Sequence, residues 1–248
     1  MPEAKTYREK IYPKYATVQV QSWLEPSARN NRIGQGAIAR RLRGWLPQAQ
    51  NASGLDLGCG AGDLLLVLKS LGFHNLIGID VGPEQVAIAR ARGVTAVQAN
   101  ILEYLQTSDQ SFDVIFAFDV IEHFTKDEVL DLFALIWKRL KPGGRLLIQT
   151  PNALSPWASH YRYNDLTHEV IFGPSCLAST LRLSGFKDVK LREVGPHIHG
   201  FVSGVRWVLW KFVRAGYIAL NCIESGGSFG GVYTRNMLVS ALKDDTAR

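Results

Sequence analysis

Two groups of residues in this 248-residue chain have the types and spacing that chemistry needs. The first is Leu55-Asp56-Leu57-Gly58-Cys59-Gly60-Ala61-Gly62-Asp63, followed 22 residues after Gly58 by Asp80, which closes the apolar run Leu76-Ile77-Gly78-Ile79. Glycines strip side chains from a strand-to-helix turn, so that a ligand can lie against bare backbone at the edge where open α/β sheets bind ligands. A carboxylate at the end of a second strand is placed to accept from a ribose diol, and a nucleoside-type ligand is expected. The dinucleotide version of the loop wants a third glycine where Asp63 stands, for helix packing beside a pyrophosphate. Asp63 argues against that ligand.

The second group is Arg162-x-x-Asp165-x-Thr167-His168-Glu169. Histidine titrates near neutrality, and flanking carboxylates orient it and raise its basicity, which makes His168 the first choice for a general base beside Asp165 and Glu169. A histidine that only hydrogen-bonds within a lid is the alternative. Upstream, Asp119-x-x-Glu122-His123 puts two carboxylates and an imidazole at i, i+3 and i+4 of a helix start. Those three share a face and could converge on a divalent cation, with His168 as a fourth ligand. Cys59 reads as a small loop residue, since no base stands near it in sequence to make it a nucleophile.

The elements that must hold these groups can be read from periodicity. From Leu55 onward, strand-like and helix-like stretches alternate, which implies a parallel sheet with helices on both faces. Pro83 and Glu84 start a helix that Gly93 can cap, and Val97-Gln98-Ala99 reads as the third strand. Val114 to Ala117 is a fourth. Thr125-x-x-Glu128 is a capping box ahead of the apolar stripe Val129, Leu132, Phe133 and Ile136, which stops at Lys141-Pro142. Gly143-Gly144 turns the chain into the strand Leu146-Leu147-Ile148, and later strands are expected at Val189 to Val194 and Val232 to Val239. Ahead of the first strand stand Tyr12, Tyr15, Trp23, Arg40, Arg41, Arg43 and Trp45, with Ile33, Ala37, Ile38 and Leu42 at helical spacing. The division expected is a helical cover over 1–50 and one unit over 51–248, with its core at 52–152, a substrate or lid region at 153–231 and a closing strand at 232–242.

Asp56-Leu57-Gly58-Cys59-Gly60-Ala61-Gly62, Gly78-Ile79-Asp80, Phe112-Asp113-Val114-Ile115 and Leu140-Lys141-Pro142-Gly143-Gly144 resemble, in order and spacing, the motifs of class I S-adenosylmethionine-dependent methyltransferases. The resemblance is best over 52–152. It implies a Rossmann-like α/β fold: a seven-stranded, mostly parallel, doubly wound sheet with an amino-terminal helical cover over the cofactor and a carboxyl-terminal helical lid insertion. It implies S-adenosyl-L-methionine as cofactor, with Gly58, Gly60 and Gly62 at its methionine end and ribose, Asp80 on the ribose hydroxyls and Val81 on adenine. Asp56, Cys59 and Ile101 go with them. Asn100 stands where the family usually has an aspartate that accepts from the adenine amino group, and it can still accept through its carbonyl oxygen. The run from Asp119 to His123 is similar to two metal-using groups, the ubiquinone-biosynthesis O-methyltransferases and the small-RNA 3′-terminal 2′-O-methyltransferases, which have glutamate in place of Asp119. In many metal-free members the same run lines the cofactor, and the shorter Asp119 favours that role in this chain.

Composition bounds the rest. With 46% hydrophobic residues the chain can bury a large core, and three cysteines without metal spacing fit a reduced compartment. The amino terminus lacks an apolar signal region, so a cytoplasmic protein is expected. A net charge of +6 suits an anionic-lipid or phosphate-rich partner, or is simply a solvated basic surface. Phe201 to Ile223, taken as a helix, puts Val205, Val208, Leu209, Phe212, Ala219, Leu220 and Ile223 on one face and Arg206, Trp207, Trp210, Lys211, Arg214 and Tyr217 on the other. Either the apolar face packs on the protein as a lid, or the helix lies on an anionic membrane surface at the inner side of the membrane. The carboxyl-terminal half, with Gly195-Pro196-His197-Ile198-His199-Gly200, looks like methyltransferases of bacterial glycan and lipid-linked saccharide pathways, which makes a sugar or lipid-linked hydroxyl the leading acceptor. His197 and His199 either line its pocket or sit in a loop. Nucleic acid is a weaker reading, since the chain has no separate RNA module or long Lys/Arg run. A non-catalytic binding subunit is weaker still against the intact glycine loop and Asp80.

Overall fold

The computed structural model describes residues 6–12, 36–226 and 231–244, so Tyr15, Trp23 and Ile33 lie outside the described residues. Helix α1 (Tyr7–Ile11) and helical residues 36–42 precede the sheet. Then follow β1 (Gly54–Leu57), α2 (Asp63–Ser70), β2 (Leu76–Asp80), α3 (Pro83–Ala91), β3 (Ala96–Gln98), α4 (Ile101–Thr107) and β4 (Phe112–Phe118). A 3-10 turn (Ile121–His123) leads into α5 (Lys126–Arg139), β5 (Leu140–Pro151), α6 (Ala158–Asn164), α7 (Pro174–Leu183), β6 (Lys187–Glu193), α8 (Phe201–Ser225) and β7 (Asn236–Leu242).

The seven strands form one sheet in the order β3-β2-β1-β4-β5-β7-β6. Pairing is parallel from β3 to β5, and β7 runs antiparallel to both β5 and β6. The order reverses between β1 and β4, the point at whose carboxyl edge open α/β sheets take their ligands. Alternation along β4 explains why both faces are covered: Ile115 and Ala117 point into a core with α4, α5 and α7, while Val114 and Phe116 meet α2 and the 36–42 helix through Leu64, Leu68, Leu42 and Trp45. The 36–42 helix therefore packs on the sheet as its apolar spacing required. Thr125 and Glu128 form the reciprocal capping box.

The first-strand loop is closed by packing. A Cβ on Gly78 would lie 2.6 Å from the Cys59 sulfur, and one on Gly62 would lie 2.7 Å from Val94. Cys59 is thus a buried spacer between loop and β2, and Gly62 lets α2 approach α3. Phe112-Asp113 and Lys141 also act as a clamp: the Asp113 carboxylate accepts from Ser53 N and Oγ, each at 2.7 Å, and from Lys141 Nζ at 2.8 Å.

Two expectations are corrected. The closing strand starts at Asn236, not Val232, because the carbonyls of Val232 and Thr234 accept from the Asn152 side chain and the Thr234 hydroxyl bonds Val194 N and Asn236 O, in place of ladder pairing. Helix α8 is turned opposite to the packed-lid expectation. Trp210, Arg214 and Tyr217 face the protein, with Arg214 paired to Glu193 at 2.9 Å and Tyr217 stacked on Tyr233 at 6.1 Å. Its apolar face points outward: Leu209, Phe212, Leu220 and Ile223 are 57–82% exposed.

Candidate active site

The loops after β1, β2, β3 and β4 enclose a cavity of about 600 Å³ at the carboxyl edge of the sheet. Asp80 organises it. Its Oδ2 accepts from Gly60 N at 2.9 Å and its Oδ1 from Gly82 N at 2.7 Å. Burial raises the Asp80 pKa, and those two backbone N–H groups pull it back. Gly60 has φ +51, and a Cβ there would meet only Gln85, at 4.0 Å, so the loop leaves open space where a ligand can touch backbone. Gly58, Val81 and Ile101 share this wall.

The other loop residues stand behind it. Asp56 is 2% exposed within β1, and burial together with the nearby Asp80 raises its pKa. It does not line the cavity, and neither do Cys59 and Gly62. Burial also pushes the Cys59 thiol up, which rules it out as an activated nucleophile. Asn100 lines the cavity, but its Oδ1 accepts from Leu102 N and Glu103 N and caps α4. Any contact of that oxygen with an adenine amino group competes with the cap.

On the opposite wall Asp119 adopts φ 54, which places it in the left-handed region that aspartate tolerates better than most residues. Gln149 Nε2 donates to its Oδ2 at 2.8 Å. Asp119 is exposed at the cavity mouth, and desolvation by the protein around it raises its pKa, against Gln149, His168 and Arg41, which lower it. Glu122 is 1% exposed and hydrogen-bonded to the Thr150 hydroxyl at 3.0 Å. Burial first, and then Asp119, raises its pKa.

His123 lines the cavity, whereas His168 stands beside it, ring centroids 4.8 Å apart. The two meet because Glu169 N and Val170 N donate to the Glu122 carbonyl, at 2.8 and 3.2 Å. Burial lowers the His123 pKa to about 4, so the ring is neutral near pH 7. Thr167 Oγ1 donates to Asp165 at 2.6 Å and lies 2.9 Å from His123 Nδ1. Its one proton is committed to the carboxylate, so Nδ1 carries a hydrogen and donates to Thr167, which leaves Nε2 with the lone pair. Asp165 therefore orients His123 through Thr167. Glu169 is turned away to accept from the Tyr7 hydroxyl. Sequence reasoning named Thr167 within its run but gave it no role, because a threonine beside a histidine carries no signal of its own.

Ligand atoms of Glu122, His123 and His168 lie within 4.8 Å of one another. Asp119 is not part of that group among the described residues. His197 and His199 pack against each other with ring centroids 5.0 Å apart and planes tilted by 34°, beside Arg40 and Arg41, and do not line the cavity. Helix α1 roofs the cavity with Arg8, Glu9 and Tyr12. Arg8 forks onto Glu128 at 2.6 and 2.8 Å and donates to the His123 carbonyl at 2.9 Å. The Arg8 guanidinium holds Glu128 down to about 2.

A family described as "Methyltransferase domain" matches residues 29–191, well over half of the chain. The chain belongs to this methyltransferase family. The ubiquinone biosynthesis O-methyltransferase of Xylella fastidiosa is 27% identical, over 84% of this chain and 86% of that protein. A SAM-dependent methyltransferase from Archaeoglobus fulgidus superposes with a TM-score of 0.63 at 22% identity, covering 84% of this chain and 94% of that one. Phosphoethanolamine N-methyltransferase 2 of Haemonchus contortus, solved with S-adenosyl-L-methionine, covers 97% of this chain and 58% of that one, with a TM-score of 0.60 and 19% identity. The cavity of this chain fits S-adenosylmethionine. A carboxylate offers about four acceptor sites, so Asp80 keeps capacity for two ribose hydroxyls beyond its backbone bonds, and the bare Gly60 backbone faces open space.

Asp80→Ala is expected to weaken cofactor binding at least tenfold, from loss of a charged acceptor worth about 1.5–3 kcal/mol. Isothermal calorimetry checks this, and unchanged affinity would remove Asp80 from the site. Arg8→Ala is expected to free the roof, read as faster tryptic release of the amino-terminal segment and a several-fold loss of cofactor affinity. Equal cleavage and affinity would show that the Arg8 fork does not hold α1 in place.

Proposed function

We propose that this methyltransferase acts on oxygen, transferring the methyl group to a hydroxyl of a saccharide or a lipid-linked small molecule. The observation that carries the reading is the imidazole pair at the cavity, with His123 oriented by Thr167 and Asp165. When bound, the cofactor supplies an electrophilic methyl on a sulfonium. The chain must then align the acceptor and take its proton.

His123 Nε2, unprotonated near neutral pH, takes the acceptor proton in this scheme, with the His168 ring packed edge-on beside it. Thr167 and Asp165 hold the ring in the required tautomer, and the charge on Asp165 stabilises the cationic ring as it forms. Helix α1 excludes water over the reacting atoms. Arg41, close enough to Asp119 to lower its pKa, adds positive charge on the acceptor side. That charge suits a phosphate-bearing or otherwise anionic acceptor. The name of the Xylella relative is in keeping with O-methylation.

A second reading has its own support in the convergence of Glu122, His123 and His168. There the three would hold a divalent cation that lowers the acceptor's pKa, and the imidazoles would be ligands.

Incubation of candidate sugars and lipid-linked saccharides with isotopically labelled cofactor, followed by mass spectrometry, tests the acceptor class. Label on a hydroxyl is expected, and label confined to amines would contradict the proposal. His123→Ala is expected to lower turnover by roughly 10²–10⁴-fold with cofactor affinity nearly intact, and His168→Ala to lower it less. Near-normal turnover of His123→Ala would end its role as base. Activity abolished by chelator and restored by magnesium or manganese would move both imidazoles to metal ligation.

A further inference from the structure

Helix α8 runs 25 residues, about 37 Å at 1.5 Å per residue, and only Ser203 in it is buried. Its protein side is polar and aromatic, tied down by the Arg214 pair with Glu193 and by Trp210 and Tyr217 against Trp157. Its outer side is an unbroken apolar stripe. Phe201, Val205, Leu209, Phe212, Leu220 and Ile223 are 43–87% exposed, which is the reverse of how an amphipathic helix sits on a globular core. The shallow groove at its start, bordered by Ile198, Phe201, Val205 and Leu209, is lined by apolar residues and glycine alone.

At 100° per residue, Arg206 and Lys211 fall on opposite flanks of this stripe, and Lys211 lies 4.8 Å over the ring of Trp207. Glu224 is the helix's one acidic residue, at its far end. Cations flanking an apolar stripe are what an interfacial helix on anionic lipid requires. Among the described residues no helix is long and apolar enough to cross a membrane, so this one can lie on a bilayer but not span it. A second copy of the chain is a poorer occupant, because it would bring like-charged flanks of a +6 protein together.

We infer that the outer face of α8 docks the enzyme on an anionic bilayer surface, with its apolar stripe in the headgroup boundary and Arg206 and Lys211 at the lipid phosphates. The topology gives this a consequence for the active site. Strand β6 is antiparallel to β7 and β7 to β5, so β6 ends, and α8 begins, at the edge of the sheet that carries the cofactor cavity. Docking through α8 brings that edge to the lipid surface. The inference stands whichever hydroxyl is methylated.

The test is co-sedimentation of the full chain with vesicles of phosphatidylglycerol mixed into phosphatidylcholine, and with pure phosphatidylcholine. Binding to the anionic vesicles is expected, weakening as salt rises, with little binding to the neutral ones. Arg206→Gln with Lys211→Gln is expected to lower vesicle affinity about fivefold per cation. Leu209→Glu with Phe212→Glu is expected to abolish binding. Arg214 is left intact because it holds the helix to the protein, and calorimetric cofactor binding by each variant shows that the fold is kept. No sedimentation of the wild type, or equal sedimentation of wild type and Leu209→Glu/Phe212→Glu, overturns the inference. So does a stable dimer by analytical ultracentrifugation that the same double substitution splits.

Discussion

The carboxylate of Asp80 is the point on which the site depends. It accepts from Gly60 N and Gly82 N at once, so one side chain closes both the first and second loops around the cavity. For Gly60 N to reach it, the chain after β1 must fold back through positive φ at Gly58, Gly60 and Gly62. A side chain at any of the three would be strained there. Beneath the loop, β2 must lack a side chain at Gly78 so that Cys59 can fit. Asp56 lies fully buried behind Asp80, and its raised pKa favours the neutral form, which leaves the negative charge facing the ligand side.

The acceptor side is assembled differently. Where the cofactor wall comes from consecutive strand ends, the histidine wall comes from segments far apart in the chain, held by a few polar contacts. The Glu122 carbonyl fixes the 169–170 backbone, Thr167 and Asp165 fix the His123 ring, and Arg8 fixes α1 on Glu128 and on the His123 carbonyl. These are charge-assisted or buried bonds, each costly to break, and none is part of the sheet. Such a wall can change its acceptor without disturbing the cofactor loops.

This difference decided what could be read from the sequence. The glycine loop, Asp80, the capping box at Thr125 and the strands through Ile148 were legible because each is set by local sequence: φ preference, period and neighbouring residues. The Thr167–Asp165–His123 chain was not, because its geometry depends on which backbone carbonyl a loop 47 residues away happens to bond. Periodicity gathered the apolar residues of α8 on one face but could not say which face packs, and it grouped Arg206, Trp207 and Lys211, which are exposed, with the packed Trp210, Arg214 and Tyr217. Trp210, Tyr217 and Arg214 become half-buried once Trp157, Tyr233 and Glu193 are opposite them, and those partners are fixed only by the fold. Likewise Val232 and Tyr233 have strand propensity, yet Asn152 takes the backbone groups that a strand would use.

The central claim is that a loop closed by Asp80 holds a single nucleoside with an amino-acid tail and not a dinucleotide. Calorimetric titration of the wild-type protein with S-adenosylhomocysteine and, separately, with NADH tests it most directly. Saturable one-to-one binding of the first and none of the second is the result expected. Binding of NADH, or no heat of binding with S-adenosylhomocysteine at a protein concentration where the fold is intact, would contradict it.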